Sequence, residues 1–232
     1  MTEVDQSPGR TRAHGAIVEA AAALLREGGP AAVTTRAVAA AAGAQPPTIY
    51  RLFGDKDGLL DAVAEHALAT YVDTKVVGGE DPVAELAASW RTHVEFGLAN
   101  PAVATLLADP ARARTSPAGA AGMRVLRARV HRVASAGRLA VPEDRAVDMI
   151  HAAGTGLVLT LLATAPAERD LGLVDSVYEA VAAAILADGP ATDADDVATA
   201  AITLRAGLDD VPVLTAAERA LLADWLDRIA ER

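Results

Sequence analysis

Thr34-Thr35-Arg36-Ala37-Val38-Ala39-Ala40-Ala41-Ala42-Gly43-Ala44-Gln45-Pro46-Pro47-Thr48-Ile49-Tyr50-Arg51-Leu52-Phe53-Gly54-Asp55-Lys56 reads as two short helices joined by a glycine turn, with a third beginning at its end. Thr34 is the N-cap of the first helix. Val33 and Val38 flank that cap at the spacing of a hydrophobic staple, which fixes the direction in which the chain enters the helix. Gly43 supplies the positive φ of a tight turn. Pro46 and Pro47 fall in a first helical turn, where amides have no intrahelical acceptor, so they start a helix and do not break one. Gly54 then stops this second helix, and Asp55 caps a third that runs through Leu59, Leu60 and Val63.

A helix of about two turns carrying Gln45, Thr48, Tyr50 and Arg51 is too small and too polar for a core element, but it suits a major groove. Ala39 to Ala42 would let the two helices approach closely, as a helix-turn-helix requires. Spacing alone fits an ordinary helical hairpin of an all-α protein as well. Ahead of this stretch, Ile17, Ala20, Ala21, Leu24 and Gly28 follow the spacing of one buried helical face, preceded by Arg10, Arg12 and His14. Those arginines either touch phosphate or form a solvated arm.

Ile17, Ala20-Ala21, Leu24-Leu25, Gly28-Gly29, Thr34-Thr35, Val38-Ala39, Ala42-Gly43, Thr48-Ile49-Tyr50, Phe53, Lys56 and Leu59-Leu60 together resemble the N-terminal signature of TetR-family transcriptional regulators. The resemblance implies an all-α fold: an N-terminal three-helix bundle with a helix-turn-helix, then a larger helical domain for ligand binding and dimerisation. It places Thr34, Thr35, Tyr50 and Lys56 against phosphate, beside Arg36. Gln45, Thr48 and Arg51 would face the groove, where glutamine can pair with adenine and the methyl and ring carbons of threonine and Pro46 can meet thymine. Two departures bear on the operator that is read: Ala44-Gln45-Pro46-Pro47 replaces the usual valine-serine opening, and Leu52 stands where histidine is common.

The chain of 232 residues has 21 basic and 31 acidic residues, a net charge of -10, which taken alone argues against nucleic acid. The distribution reverses this, because residues 9–56 carry six basic residues against three acidic ones. With no cysteine there is no disulfide framework, and with no signal peptide or long unbroken apolar run the chain is expected to be cytoplasmic. Alanine, at 56 residues, favours helices and close helix contacts throughout.

Residues 1–9 are expected to be a disordered arm, 10–56 the DNA-binding domain, and 57–232 the ligand-binding and dimerisation domain, with extra C-terminal helices from about residue 190. A helix from Asp55 to about Thr74, stopped by Gly78-Gly79, links the two. Another runs from Asp81-Pro82 to Asn100-Pro101, and a short one follows to Asp109-Pro110. Residues 111–140 hold Arg112, Arg114, Arg124, Arg127, Arg129, Arg132 and Arg138 with no acid. This zone reads either as a second nucleic-acid patch or as a salt-bridging face opposite the acidic tail. The apolar spacing of Val125, Leu126, Val130 and Val133 favours the second. Long helices from Pro142 to before Pro166 and from Gly172 to Asp188 carry Val147, Ile150, Gly154, Leu157, Val158, Leu161, Val177, Tyr178, Val181 and Ile185. By the resemblance these form a dimer interface. Two final patterns, Asp193–Arg205 and Thr215–Ile229, cover either their own subunit or extend the dimer contact.

His14, His66, His93, His131 and His151 are scattered, and no H-E-x-x-H, phosphate loop or G-x-S-x-G occurs, so neither an enzyme nor a metal site is expected, and no cofactor is implied. The expected function is that of a ligand-responsive regulator, a repressor, binding a pseudo-palindromic operator on double-stranded DNA as a homodimer. A small apolar or amphipathic effector would sit among Trp90, His93, Phe96, Met123, Arg127, Met149 and His151. The competing reading is a helical ligand-binding or interaction protein whose head no longer reads DNA, because Pro46-Pro47 distort the reading helix.

Overall fold

A computed structural model of the chain describes residues 8–72, 80–110, 115–187 and 197–231. Residues 1–7 of the expected arm, the end of the linking helix at Thr74 with Gly78-Gly79, Arg112, Arg114, Asp188 and Asp193 lie outside the described residues. Eleven α-helices and no strand are present among the described residues. They are α1 Pro8–Ala32, α2 Thr35–Ala42, α3 Pro46–Phe53, α4 Lys56–Val72, α5 Pro82–Ala99, α6 Pro101–Leu107, α7 Pro117–Ser135, α8 Glu143–Leu162, α9 Gly172–Ile185, α10 Val197–Ala206 and α11 Ala216–Ala230. The protein is all-α, with an N-terminal helix-turn-helix part and a larger helical C-terminal part. The chain divides into two compact units, Met1–Lys75 with Phe96–Ala121, and Val76–Glu95 with Gly122–Arg232.

The first unit is built around the apolar faces of α1, α2, α3 and α4. Ile17, Val18, Ala21 and Leu25 meet Val33, Val38, Ala39, Ile49, Leu59, Leu60, Val63 and Ala64 in one buried cluster. Val33 and Val38, the two halves of the staple, are both fully buried. Helix α1 kinks at Gly29, whose φ of 66° permits the bend ahead of Pro30. Three short helices cannot close a core by themselves, and here Phe96, Val103, Leu106 and Ala118 complete it. The head is therefore larger than residues 10–56, and Phe96, expected in an effector site, is a core residue of the head.

In the second unit α5, α7, α8 and α9 supply the core. Leu86, Trp90 and Val94 of α5, Val130 and Val133 of α7, and Val147, Ile150, Leu157, Val158 and Leu161 of α8 are buried, as are Gly154 and Ile185. These α8 residues and Ile185 thus pack within their own subunit, which removes them from the expected dimer interface: a side chain already covered has no apolar surface left for a partner. By length and composition α8 could cross a bilayer; these buried residues are what it packs into its own unit.

Arg127, Arg129 and Arg132 of α7 form ion pairs, and among the described residues the partners lie on α5 and α8. Glu85, at 12% side-chain exposure, is shared by Arg132 and by Arg129 at 3.7 Å, and Arg127 faces Asp144 at 3.8 Å. Glu85→Ala should destabilise this unit by about 2–3 kcal/mol, since it leaves the half-buried Arg129 without its carboxylate. Urea denaturation would show this as a lowered midpoint, and an unchanged midpoint would mean that the pair only fills a solvated face.

The last two helices form a hairpin. Thr215 and Glu218 make a reciprocal capping box at the start of α11, with Thr215 N–H donating to Glu218 Oε2 at 2.8 Å and Glu218 N–H to Thr215 Oγ1 at 3.3 Å. The bonds that the Thr215 N–H, and then its hydroxyl, donate to the Glu218 carboxylate hold that carboxyl below its ordinary pKa. Arg205 of α10 pairs with Asp227 of α11.

Candidate nucleic-acid interface

The turn that places α3 against α2 is set by backbone chemistry. Thr34 Oγ1 accepts the Ala37 N–H at 3.1 Å and caps α2. Gly43 takes φ 61°, ψ 27° at its end, and the Ala44 N–H donates to Ala39 O. Ile49, at 2% exposure, anchors α3 in the core. At 100° per residue this one anchor turns Pro46, Pro47, Tyr50 and Arg51 outward, and all four are exposed together with Gln45. Gly54, with φ 79°, ends α3, and Asp55 Oδ1 accepts the Gly58 N–H at 2.8 Å to cap α4, where Lys56 is exposed.

The expected DNA-facing residues are therefore largely brought together. Thr34, Arg36, Gln45, Pro46, Tyr50, Arg51 and Lys56 are exposed, and Thr35 and Thr48 are half-buried. Thr48 lies on the flank of α3, so Tyr50, expected at the outer edge, holds the centre of the outward face. Pro47, which was not among the expected DNA-facing residues, is exposed beside Pro46 and Tyr50, as the 100° step places it. The His14 ring lies on Phe53, with centroids 4.7 Å apart, and ties α1 to the end of α3.

The residues expected around an effector divide. Trp90 is buried, donates its indole N–H to Val174 O at 2.9 Å, and lies at a tilt on Tyr178 with centroids 5.8 Å apart. Gly154 of α8 packs against side chains of α5: a Cβ there would lie 3.2 Å from His93 Cδ2 and 3.3 Å from Trp90 Cζ3. Desolvation of the His93 ring, then the nearby His151, hold its pKa below the ordinary histidine range, against a hydrogen bond with the Gly154 backbone. Trp90, His93 and His151 thus form one corner, with Met123 and Met149 half-buried elsewhere in the sequence and Arg127 exposed. Tyr178, expected to face a partner, instead contributes to this corner. Its hydroxyl is buried without a hydrogen-bond partner, and desolvation pushes its pKa up, opposed by Arg91. A groove of about 490 Å³ lies elsewhere in this unit, lined by Ser135, Ala136 and Gly137 and by Ala200, Thr203, Leu204 and Gly207. None of these was an expected site residue.

Residues 17–63 match the family model described as bacterial regulatory proteins, tetR family. The fold is similar to that of the transcriptional regulator SCO7222, a TetR protein of Streptomyces coelicolor, at TM-score 0.55 and 21% identity over 97% of this chain and 96% of that one. It is also similar to a TetR-family transcriptional regulator of Haemophilus influenzae Rd, at TM-score 0.54 and 20% identity over 78% of this chain and 100% of that one. A third likeness is to a TetR variant of Acinetobacter baumannii AYE in complex with minocycline, at TM-score 0.53 and 23% identity over 73% and 90%. No curated protein matches the chain in sequence. The class that head and fold define is the all-α helix-turn-helix proteins. Within it, the chain carries a tetR-family head and has the fold of a TetR-family regulator.

Proposed function

We propose that the chain is a ligand-responsive transcriptional repressor that binds a pseudo-palindromic operator as a homodimer and is released by a small apolar or amphipathic effector. The observation that carries this reading is the outward face of α3, where Gln45, Pro46, Pro47, Tyr50 and Arg51 are all exposed on a helix anchored in the core by Ile49. Pro46 and Pro47 start α3 as helical residues, which counts against a distorted reading helix. A duplex taken from upstream of the chain's own reading frame should be shifted by the pure protein, with the shift weakened by salt. Equal binding to every duplex would remove the specific regulator and leave the ligand-binding alternative.

Positioning and reading separate by residue. Lys56→Ala should weaken specific and random duplexes alike and lower the salt slope by about 0.9 for one lost phosphate contact. Gln45→Ala should cost about 1–3 kcal/mol on the operator alone. Fluorescence anisotropy at several salt concentrations checks both, and a Gln45→Ala loss shared by all sequences would count against α3 as the reader.

The surface left for a second copy on α8 and α9 is the face of small residues opposite their buried ones. Ala152, Gly156, Leu159, Thr160 and Ala163 are exposed from α8 and its cap, with Ser176, Ala180, Ala183 and Ala184 from α9. Small side chains let helices from two copies approach closely, and a two-fold pair of recognition helices is what a pseudo-palindrome demands. Gly156 has open space at its Cβ position. Gly156→Arg should therefore give a folded monomer by light scattering, and a variant that remains dimeric would displace the interface from α8.

For the effector, support comes from the Trp90–Tyr178 corner with its unsatisfied hydroxyl, and from the minocycline bound by the Acinetobacter neighbour. Native mass spectrometry of the protein purified without denaturation would show a retained small molecule.

A further inference from the structure

The start of α3 lacks the donors that a helix start ordinarily offers. Its first two residues, Pro46 and Pro47, have no N–H, and the third, Thr48, donates its N–H to Gln45 O at 2.9 Å. An N-cap side chain ordinarily accepts from the second or third helical N–H. Here the second does not exist and the third is taken. Gln45 accordingly makes no side-chain capping bond, although it occupies the N-cap with φ -91° and ψ 140°. The two prolines thus do two things at once: they deny a phosphate the amides of the helix start, and they leave the Gln45 carboxamide uncommitted on the exposed face.

From this we infer that Gln45, Pro46 and Pro47 read adjacent A·T pairs, the pyrrolidine rings lying on thymine 5-methyl groups and the Gln45 amide pairing with an adenine. This rests on the operator-binding reading above and specifies its substrate. The thymine methyl is the apolar group that a major groove offers, and adenine N6 and N7 match a carboxamide. A G·C pair in the same place would set its polar edge against a ring that can neither donate nor accept, which leaves those groups desolvated and unpaired. Tyr50, 56% exposed between the prolines on the helical wheel, extends the apolar face.

The test uses the full-length protein and duplexes enriched by it from a random library. Each enriched thymine is replaced in turn by deoxyuridine, which removes only the methyl. At one or two adjacent positions in each half-site the loss should weaken binding about fourfold per methyl. In Pro46→Ala/Pro47→Ala the thymine-to-uracil ratio at those positions should fall toward one, while affinity for random duplexes holds or rises because two amides return. Alanine is a good helix former at both places, so the helical circular dichroism should be unchanged. Gln45→Ala should instead abolish sensitivity to 7-deaza-adenine at the neighbouring adenine. Uracil that is neutral at every position, or a ratio equal in wild type and double variant, overturns the inference and leaves operator binding standing. If no duplex is enriched at all, operator binding falls, and the inference with it.

Discussion

Leu157→Arg is expected to unfold the second unit, where a residue at a partner interface would only have separated two copies. Leu157 is 4% exposed within its own chain, on the buried face of α8 with Val147, Ile150, Gly154, Val158 and Leu161. An arginine there has no acidic neighbour on that face of α8, and a charge left unpaired in such a place costs about 3–5 kcal/mol. Total stabilities are on the order of 5–15 kcal/mol, so the loss is a large share of what holds the unit together. The comparison with Gly156→Arg makes the outcome decisive, since the two substitutions place the same side chain at adjacent positions, one exposed and one buried. Urea denaturation followed by circular dichroism should show Leu157→Arg with a collapsed midpoint and Gly156→Arg close to wild type. A folded, monomeric Leu157→Arg would return that residue to the interface.

Gly58→Ala should destabilise the head although alanine is the better helix former. Two effects oppose each other. Replacing glycine in a helix gains up to about 1 kcal/mol. A Cβ at position 58 would lie 2.2 Å from the carbonyl oxygen of Phe53, a backbone atom at the end of α3 that no rotamer change can move. Overpacking of this kind costs about 1–3 kcal/mol or more, and relief requires α3 to shift against α4. The steric term therefore wins, and the shift falls on the helix proposed to read DNA. Expected are a lower melting temperature and weaker binding to operator and random duplexes together. A melting temperature at or above wild type would show that α3 can move aside freely, and with it that its position is not fixed by α4.

The elements of the head were legible because their signals are local. Thr34, Gly43, Pro46, Gly54 and Asp55 each act through the backbone within four residues, so the caps, the turn and the starts of α2, α3 and α4 follow from the sequence alone. The same holds for α8, for α9 and for the helix that begins at Thr215. Which face of a helix meets its own subunit is decided at long range. Val147, Ile150, Leu157, Val158 and Leu161 are apolar enough for either a core or an interface, and hydrophobicity does not name the surface that will cover them. Only tertiary packing put Trp90 and His93 of α5 against Gly154 on that face and left the alanine and glycine face of α8 and α9 outward. In the same way, Phe96 is separated by only two residues from His93, yet it closes the core of the head while His93 meets Gly154 in the other unit. The arginines of α7 announced ion pairs, but their partner Glu85 lies more than forty residues away in sequence. Sequence thus determined the helices and the chemistry of the exposed face of α3, because capping and turn geometry act over a few residues. Structure decided partners and burial, because these depend on which apolar surfaces compete for one another once the whole chain has closed.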